Sequence, residues 1–144
     1  MRTLLKSLFC AVAVSLAAES ASAQAYRVIV NASNGASSIS AEDLQRVYLK
    51  KMTTWKDGSP VAVVDQGPKS PVRAEFSTSV LGRDVPSMKN YWQQSLFAGR
   101  GVPPIEQPGD AQVAAFVASN PNAIGYVSAS APLPDGVRVI EIKR

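Results

Sequence analysis

A buried strand, a Gly-Pro turn and a helix start follow one another in the middle of this sequence. Residues 61–64 form an apolar run that is typical of a strand buried on both faces. Gly67 and Pro68 then predict a turn. Pro71 suits the first turn of a helix, which Gly82 is placed to end. A strand that leads so directly into a helix is typical of an α/β fold, in which helices cover a sheet.

The rest of the sequence continues this alternation of strand and helix. The other predicted strands, rich in β-branched residues, span 26–30, 123–127 and 137–142. The other predicted helices, which begin at capping residues and carry one apolar face, span 40–50, 86–97 and 110–119. Gly125 in a predicted strand indicates a close backbone approach. Four strands and four helices predict one α/β domain, with a mixed, mostly parallel sheet and helices on both faces.

The first 23 residues have the features of a secretory signal peptide. Arg2 and Lys6 give a charged start, residues 8–18 form an apolar run too short to span a bilayer, and residues 21–23 are small enough for cleavage. We therefore expect residues 24–144 to form the single domain of a periplasmic or secreted protein.

The composition argues against the commonest catalytic and metal chemistry. The chain has no histidine, and its one cysteine, Cys10, lies in the apolar run of the predicted signal peptide. The usual zinc ligands and the Ser-His and Cys-His nucleophile pairs are therefore missing. The net charge of +4 is scattered, without a basic stripe that would track nucleic acid. We expect no cofactor, no metal, no enzyme activity, no nucleic-acid partner and no membrane span.

The helix start after the Gly-Pro turn is the candidate binding site. Ser70 is a suitable N-cap residue, and the free N–H groups of the first turn carry the positive end of the helix dipole. The predicted anion-binding residues are Lys69, Ser70, Val72 and Arg73. The alternative is a capped helix with two solvated basic side chains that binds nothing. Asp65, at the preceding strand end, could pair with Lys69 or Arg73 and serve structure only.

Seven motifs along residues 24–144 resemble one family in their order. They span 39–44, 47–50, 54–58, 70–76, 91–92, 97–104 and 120–127. The most specific is the Pro-x-Ala-Ile-Gly-Tyr-Val sequence at 121–127. The chain thereby resembles the phosphate-type substrate-binding proteins of ABC importers, a branch of the type 2 periplasmic binding protein superfamily.

This resemblance implies a fold, a ligand and a partner. Family members have two α/β lobes that close on a tetrahedral oxyanion, whereas this chain is about half that length. It implies a single lobe with an open site for phosphate or a similar oxyanion. Ser70 stands where the family has a Ser/Thr-Gly-Thr turn, and Arg73 would be a second contact. An ABC importer or another envelope protein would be the partner.

Two alternatives to an oxyanion-binding protein for uptake or sensing stay open. One is a ligand-free interaction module of an envelope complex that keeps only the lobe fold. The other is a homodimer in which two copies rebuild a two-lobed cleft. An enzyme would need Asp, Glu, Lys and Ser alone to supply the chemistry, and no pair of these has a recognisable catalytic spacing.

Overall fold

The structure is a computed structural model that describes residues 24–144, so the predicted signal peptide at 1–23 lies outside the described residues. The strands are β1 Tyr26–Asn31, β2 Ser38–Ser40, β3 Ala62–Gln66, β4 Ile105–Gln107, β5 Ala123–Ser128, β6 Val137–Val139 and β7 Glu141–Lys143. The helices are α1 Ala41–Tyr48, α2 Pro71–Phe76, α3 Val85–Phe97 and α4 Asp110–Ser119, with a π-helical turn, Ser77–Leu81, that continues α2. None of the helices within the described range has the length and apolar character needed to cross a membrane.

Five strands form one mixed sheet in the order β4-β3-β5-β1-β6, and β2 and β7 form a second, two-stranded sheet. Strand β3 runs parallel to β4 and β5, and β2 runs parallel to β7. Strand β1 is antiparallel to both β5 and β6. The main sheet is thus mixed, with two parallel and two antiparallel pairs, and the β2–β7 pair makes three of the five strand pairs parallel. Their arrangement brings the carboxyl ends of β3, β4 and β5 to the same edge of the main sheet.

Helices cover both faces of the main sheet, and each face has its own apolar core. On one face, α1, α2 and α3 pack around the buried rings of Tyr48, Phe76 and Tyr126, and the last two stack with centroids 3.8 Å apart. On the other face, α4 buries Val113 and Val117 against β1, β3 and β5. The predicted α/β class, a single lobe with helices on both faces, is confirmed.

Local signals explain several element boundaries. The Ser40 hydroxyl caps α1 by accepting a hydrogen bond from the N–H of Asp43 at 3.0 Å. Gly82, with a φ of 67°, ends the π-helical turn in the left-handed conformation. A Cβ atom added to Gly125 would lie 2.8 Å from a methyl group of Val113 and from one of a β3 valine, which confirms the predicted close approach.

Three details differ from the prediction. Strands β2 and β4 are not predicted, because each has three residues and too little alternation to give a period. The strand predicted at 137–142 divides into β6 and β7 at Ile140, which is buried and donates its N–H to Val28 O at 3.0 Å. The helix predicted from Pro71 changes from α to π geometry at Ser77.

Candidate functional site

The carboxyl ends of β3, β4 and β5 border an open cleft of about 710 Å³. Its walls are residues 66–72, residues 108–110 and Ser128. Helices α2 and α4 both begin at this cleft, at Pro71 and Asp110. Because ligands of open α/β sheets bind beyond the carboxyl ends of the strands, this cleft is the candidate functional site.

The two helices that begin at the cleft lack side-chain caps, whereas the other two α-helices have them. Ser40 caps α1, and the Asp84 carboxylate caps α3 by accepting from the N–H of Ser87 at 2.8 Å. Within the described residues, no side chain caps the first turn of α2 or of α4. In the first turn of α2 only the N–H of Val72 is free, because Pro71 has no N–H and that of Arg73 donates to Ser70 O at 3.1 Å. In α4 the N–H groups of residues 110–112 have no partner within the described residues. These groups are left for solvent or a ligand, and the helix dipoles favour an anion there.

Three of the four predicted anion-binding residues line the cleft: Lys69, Ser70 and Val72. Lys69 is exposed, Ser70 is half-buried and Val72 is buried. Ser70 occupies the N-cap position of α2, but the prediction that its side chain caps the helix is wrong. Its hydroxyl instead donates a hydrogen bond of 2.6 Å to the side-chain carbonyl of the buried Gln66.

The fourth predicted residue, Arg73, lies under the cleft rather than in its wall. Its side chain is buried, and Nη1 donates to Gln66 O at 2.8 Å and to Glu106 Oε1 at 2.7 Å. Its Nη2 lies 3.6 Å from Asp65 Oδ2. The structural pairing of Asp65 with Arg73 is therefore the alternative that the geometry supports, and Arg73 ties α2 to β3 and β4.

Asp65 is a buried carboxylate held by several donors. Its Oδ1 accepts from the Gln66 N–H at 2.8 Å and from the Tyr126 hydroxyl. Burial raises the pKa of Asp65, against the opposing effect of the Arg73 guanidinium and these hydrogen bonds. Burial and the neighbouring Asp65 likewise raise the pKa of Tyr126. This network belongs to the core beneath the site and fixes the end of β3.

Gln66 and Asp110 are cleft residues that the sequence prediction did not select. The Gln66 Nε2 donates to Asp110 Oδ1 at 2.7 Å and to Tyr126 O at 3.1 Å, while its Oε1 accepts from Ser70. Asp110 Oδ1 also accepts from the N–H of Ser128 at 3.0 Å. These bonds join the starts of α2 and α4 to the end of β5. The sequence did carry one signal for this position: Gln66 is a polar residue at the end of an apolar, buried strand.

The charged residues that line the cleft are Lys69 and Asp110. Partial burial acts to raise the pKa of Asp110, but hydrogen bonds from Gln66 and Ser128, together with the charge of Arg27, hold it below its usual value. Asp110 is therefore anionic at neutral pH. The fixed charges of the wall nearly cancel, and an anion would depend mainly on the helix N–H groups and on Lys69.

The polar groups of the cleft suit binding better than catalysis. The Ser70 hydroxyl bonds to an amide oxygen, which cannot activate it as a nucleophile in the way a nearby base would. Across residues 24–144, no group of three or more His, Cys, Asp or Glu side chains is placed to hold a metal ion. The arrangement can hold an anion by hydrogen bonds, but it does not place a nucleophile beside a base.

Comparison with known proteins gives a family match over most of the chain. A family model described as a PBP superfamily domain matches residues 18–141. No curated protein matches the chain at a significant level.

Solved structures match the described fold. An ABC-type phosphate transport receptor from Vibrio cholerae aligns with a TM-score of 0.63 and 20% identity, covering 81% of this chain and 45% of the receptor. A protein from Clostridium perfringens, described as a phosphate ABC transporter substrate-binding protein with bound phosphate, aligns with a TM-score of 0.62 and 21% identity, covering 82% and 44%. This chain thus spans less than half the length of either structure. Each likeness shows the fold alone.

Proposed function

Because the chain belongs to the PBP superfamily domain family, we propose that it is an exported solute-binding-like protein that holds phosphate or a similar oxyanion weakly in the open cleft. The observation that carries the proposal is that α2 and α4 both begin at this cleft without side-chain caps. The free first-turn N–H groups of α4, the Val72 N–H of α2 and the ammonium group of Lys69 together form the kind of surface that binds oxyanions.

Phosphate is the first ligand to test, and we expect its binding to be weak. Both matched proteins described above are named for phosphate, and one was solved with phosphate bound. A single lobe leaves one side of a bound anion in water, where a high dielectric constant weakens each charge interaction. The protein would serve uptake or sensing in the periplasm or outside the cell, after removal of residues 1–23. An ABC importer or another envelope protein would receive the ligand.

Phosphate is expected to raise the melting temperature of the purified protein in a saturable way. At ten times the dissociation constant, binding to the folded state alone adds about 1.4 kcal/mol of stability, a shift of a few degrees. Lys69→Ala should reduce this shift, because it removes the cation of the cleft wall. Ser70→Ala should reduce it less, since the Ser70 hydroxyl already donates its proton to Gln66 Oε1 and serves the cleft by orienting that amide. Thermal unfolding in phosphate, sulfate and chloride, all at the same ionic strength, measures this shift in melting temperature.

A matched control separates this site from general charge effects. Lys89→Ala removes an exposed lysine of α3, outside the residues that line the cleft, and should leave the phosphate shift unchanged. Equal losses in Lys69→Ala and Lys89→Ala would place the effect in the net charge rather than in the cleft. No shift with any anion would end the proposal.

Asp110→Asn is expected to tighten phosphate binding. The asparagine keeps an Oδ1 acceptor for Gln66 and Ser128 but removes the negative charge of the cleft wall. Removing one like charge within a few ångströms of the anion is worth about 1 kcal/mol, or about fivefold in the dissociation constant. Calorimetric titration at low salt measures the change, which should shrink as salt is added. Unchanged affinity would place the anion away from Asp110.

One surface feature favours the ligand-free interaction module as a second candidate. Large apolar side chains stand exposed between the end of α3 and β4: Leu96 (51%), Phe97 (96%), Val102 (62%) and Ile105 (56%). Exposed apolar surface of this kind is typical of contact with another protein. If no anion binds, co-purification with an envelope complex that Phe97→Ser abolishes would support the module. Sedimentation with and without phosphate would test the homodimer.

A further inference from the structure

Asn34 and Gly35 form the one Asn-Gly pair in the sequence, and they lie in the loop between β1 and β2. The other four asparagines precede alanine, tyrosine or proline. Because glycine has no Cβ atom, its backbone nitrogen can approach the side chain of a preceding asparagine with little hindrance. The amide of Asn34 is therefore the asparagine side chain most open to attack by its own backbone.

The structure leaves the backbone nitrogen of Gly35 free to react. Gly35 is exposed, and a Cβ atom added to it would meet no atom within 4 Å. Its N–H donates no hydrogen bond to any of residues 24–144. The amides on either side are occupied, since Asn34 N–H donates to Asn31 O at 2.9 Å and Ala36 N–H donates to Asn34 Oδ1 at 2.8 Å. The Gly35 nitrogen can therefore lose its proton to solvent without breaking a bond of the fold.

Two contacts polarise the groups that would react. The Ala36 N–H, bonded to Asn34 Oδ1, withdraws electrons from the amide carbon Cγ and would stabilise the oxyanion that forms there on attack. Arg138 Nη2 donates to Asn34 O, the carbonyl oxygen of the peptide that joins Asn34 to Gly35, and also to Ala36 O. A guanidinium on this oxygen makes the Gly35 N–H more acidic, because it stabilises the deprotonated peptide.

We propose that Asn34 is a deamidation site, converted to aspartate and isoaspartate by reaction with Gly35 and water, and that Arg138 promotes the reaction. The Gly35 nitrogen gives its proton to solvent base and bonds to Asn34 Cγ, while the Cγ–Nδ2 bond breaks and Nδ2 leaves as ammonia. Water then opens the cyclic succinimide. Attack at Cγ gives aspartate, and attack at the backbone carbon gives isoaspartate, whose main chain runs through Cβ. One water is consumed and one ammonia is released, without oxidation or reduction.

Deamidation would add a negative charge at the edge of the main sheet opposite the cleft. Strand β1 is antiparallel to β5, so the end of β1 before this loop lies away from the carboxyl end of β5. An aspartate keeps the Oδ1 acceptor for Ala36 and gains an attraction to the Arg138 guanidinium, whereas isoaspartate lengthens the main chain and would disturb both contacts. The inference does not depend on the proposed function, because the loop and the cleft lie at opposite edges of the sheet.

The test follows the intact mass of the purified protein during incubation in a mildly alkaline buffer, with peptide mapping to locate each change. Deamidation adds about 1 Da, and this gain should appear at Asn34 before any other asparagine. Gly35→Ala should slow the gain by about tenfold, because its Cβ atom hinders the approach to Cγ. Alanine fits this position, since the φ of Gly35 is not in the left-handed region and the surrounding space is open.

Matched arginine variants test the role of Arg138. Arg138→Gln should slow the reaction at Asn34 about three- to tenfold, because the charge-assisted bond to Asn34 O is lost. Arg138→Lys keeps a cation and should slow it less. Arg27→Gln removes another half-buried arginine of the main sheet, one that donates to Ala131 O, and should leave the rate within about twofold. If Arg138→Gln does not fold, Arg138→Met, which keeps the apolar stem, takes its place.

The site and the role of Arg138 can fail separately. No mass gain at Asn34, a gain that begins at another asparagine, or one that Gly35→Ala does not slow overturns the site. A rate at Asn34 that Arg138→Gln leaves unchanged or raises overturns the role of Arg138.

Discussion

Replacing Arg73 with methionine is expected to destabilise the protein by about 3–5 kcal/mol, because removing one partner of a buried ion pair leaves the other charge buried without compensation. The partner is Asp65, itself buried, and Arg73 also donates to Gln66 O and Glu106. Methionine keeps the apolar stem and removes only the guanidinium. Denaturant unfolding at neutral pH measures the loss.

The pH dependence of this loss has a defined sign. Asp65 has a folded-state pKa above its ordinary value of 3.8, so its contribution to stability is present below that value and is lost as the pH rises through the folded-state pKa. Without Arg73 the folded-state pKa rises further. The deficit of Arg73→Met relative to wild type should therefore be smaller at pH 4 than at pH 7.

Two further variants complete this prediction. Arg46→Met removes an exposed arginine that pairs with Asp43 at 3.4 Å, and it should cost less than about 1 kcal/mol. Asp65→Asn combined with Arg73→Met should recover part of the lost stability, since no buried charge then remains. If Arg73→Met costs no more than Arg46→Met but abolishes the phosphate shift, Arg73 is an anion contact and its assignment as a structural residue is wrong.

Gly125→Val is expected to destabilise the protein by about 3 kcal/mol, the upper end of the usual cost of overpacking, because it forces side-chain atoms into a filled core. A Cβ at this position would already lie 2.8 Å from methyl carbons of Val113 and Val64. Both valines belong to the packing of α4 on the sheet, so the clash would push α4 outward. Because α4 begins at the cleft, the variant should also lose the phosphate shift.

Gly35→Val is the matched control for this substitution. Gly35 is exposed, and a Cβ added to it meets no atom within 4 Å. The free energy of unfolding of Gly35→Val should lie within about 0.5 kcal/mol of the wild-type value. Similar melting temperatures for Gly125→Val and Gly35→Val would show that α4 does not pack on Gly125 as described.

The elements that the sequence predicts well are those with a strong local period or a turn signal. The apolar run before Gln66, the capped start of α1 at Ser40 and the stop at Gly82 each depend on a few adjacent residues. Strands β2 and β4 depend instead on their partners, β7 and β3, which lie far away in the sequence. A strand of three residues carries too little pattern to be predicted from its own sequence.

The residues of the candidate site also fall into two groups, those that local sequence signals predict and those that distant parts of the chain bring to the cleft. The Gly-Pro turn and Pro71 are local signals, and they lead to Lys69, Ser70 and Val72 in the cleft wall. The direction of the Arg73 side chain depends on Glu106, which is brought close by the pairing of β3 with β4. Asp110, which follows β4, lies at the site because the parallel pairing of β3 and β4 brings their carboxyl ends to the same edge of the sheet. Charge at the helix start therefore predicts the place of the site but not which side chains face the ligand.

The most direct test of the central claim is an NMR titration of the purified protein with phosphate, following the backbone amides at constant ionic strength. We predict saturable shifts that are largest at the helix starts and strand ends of the cleft, in the amides of Gly67, Lys69, Ser70, Val72, Gly109, Asp110 and Ser128. Chloride at equal ionic strength should not reproduce them. An absence of saturable shifts, or shifts confined to residues outside the cleft, would contradict an oxyanion site in this cleft.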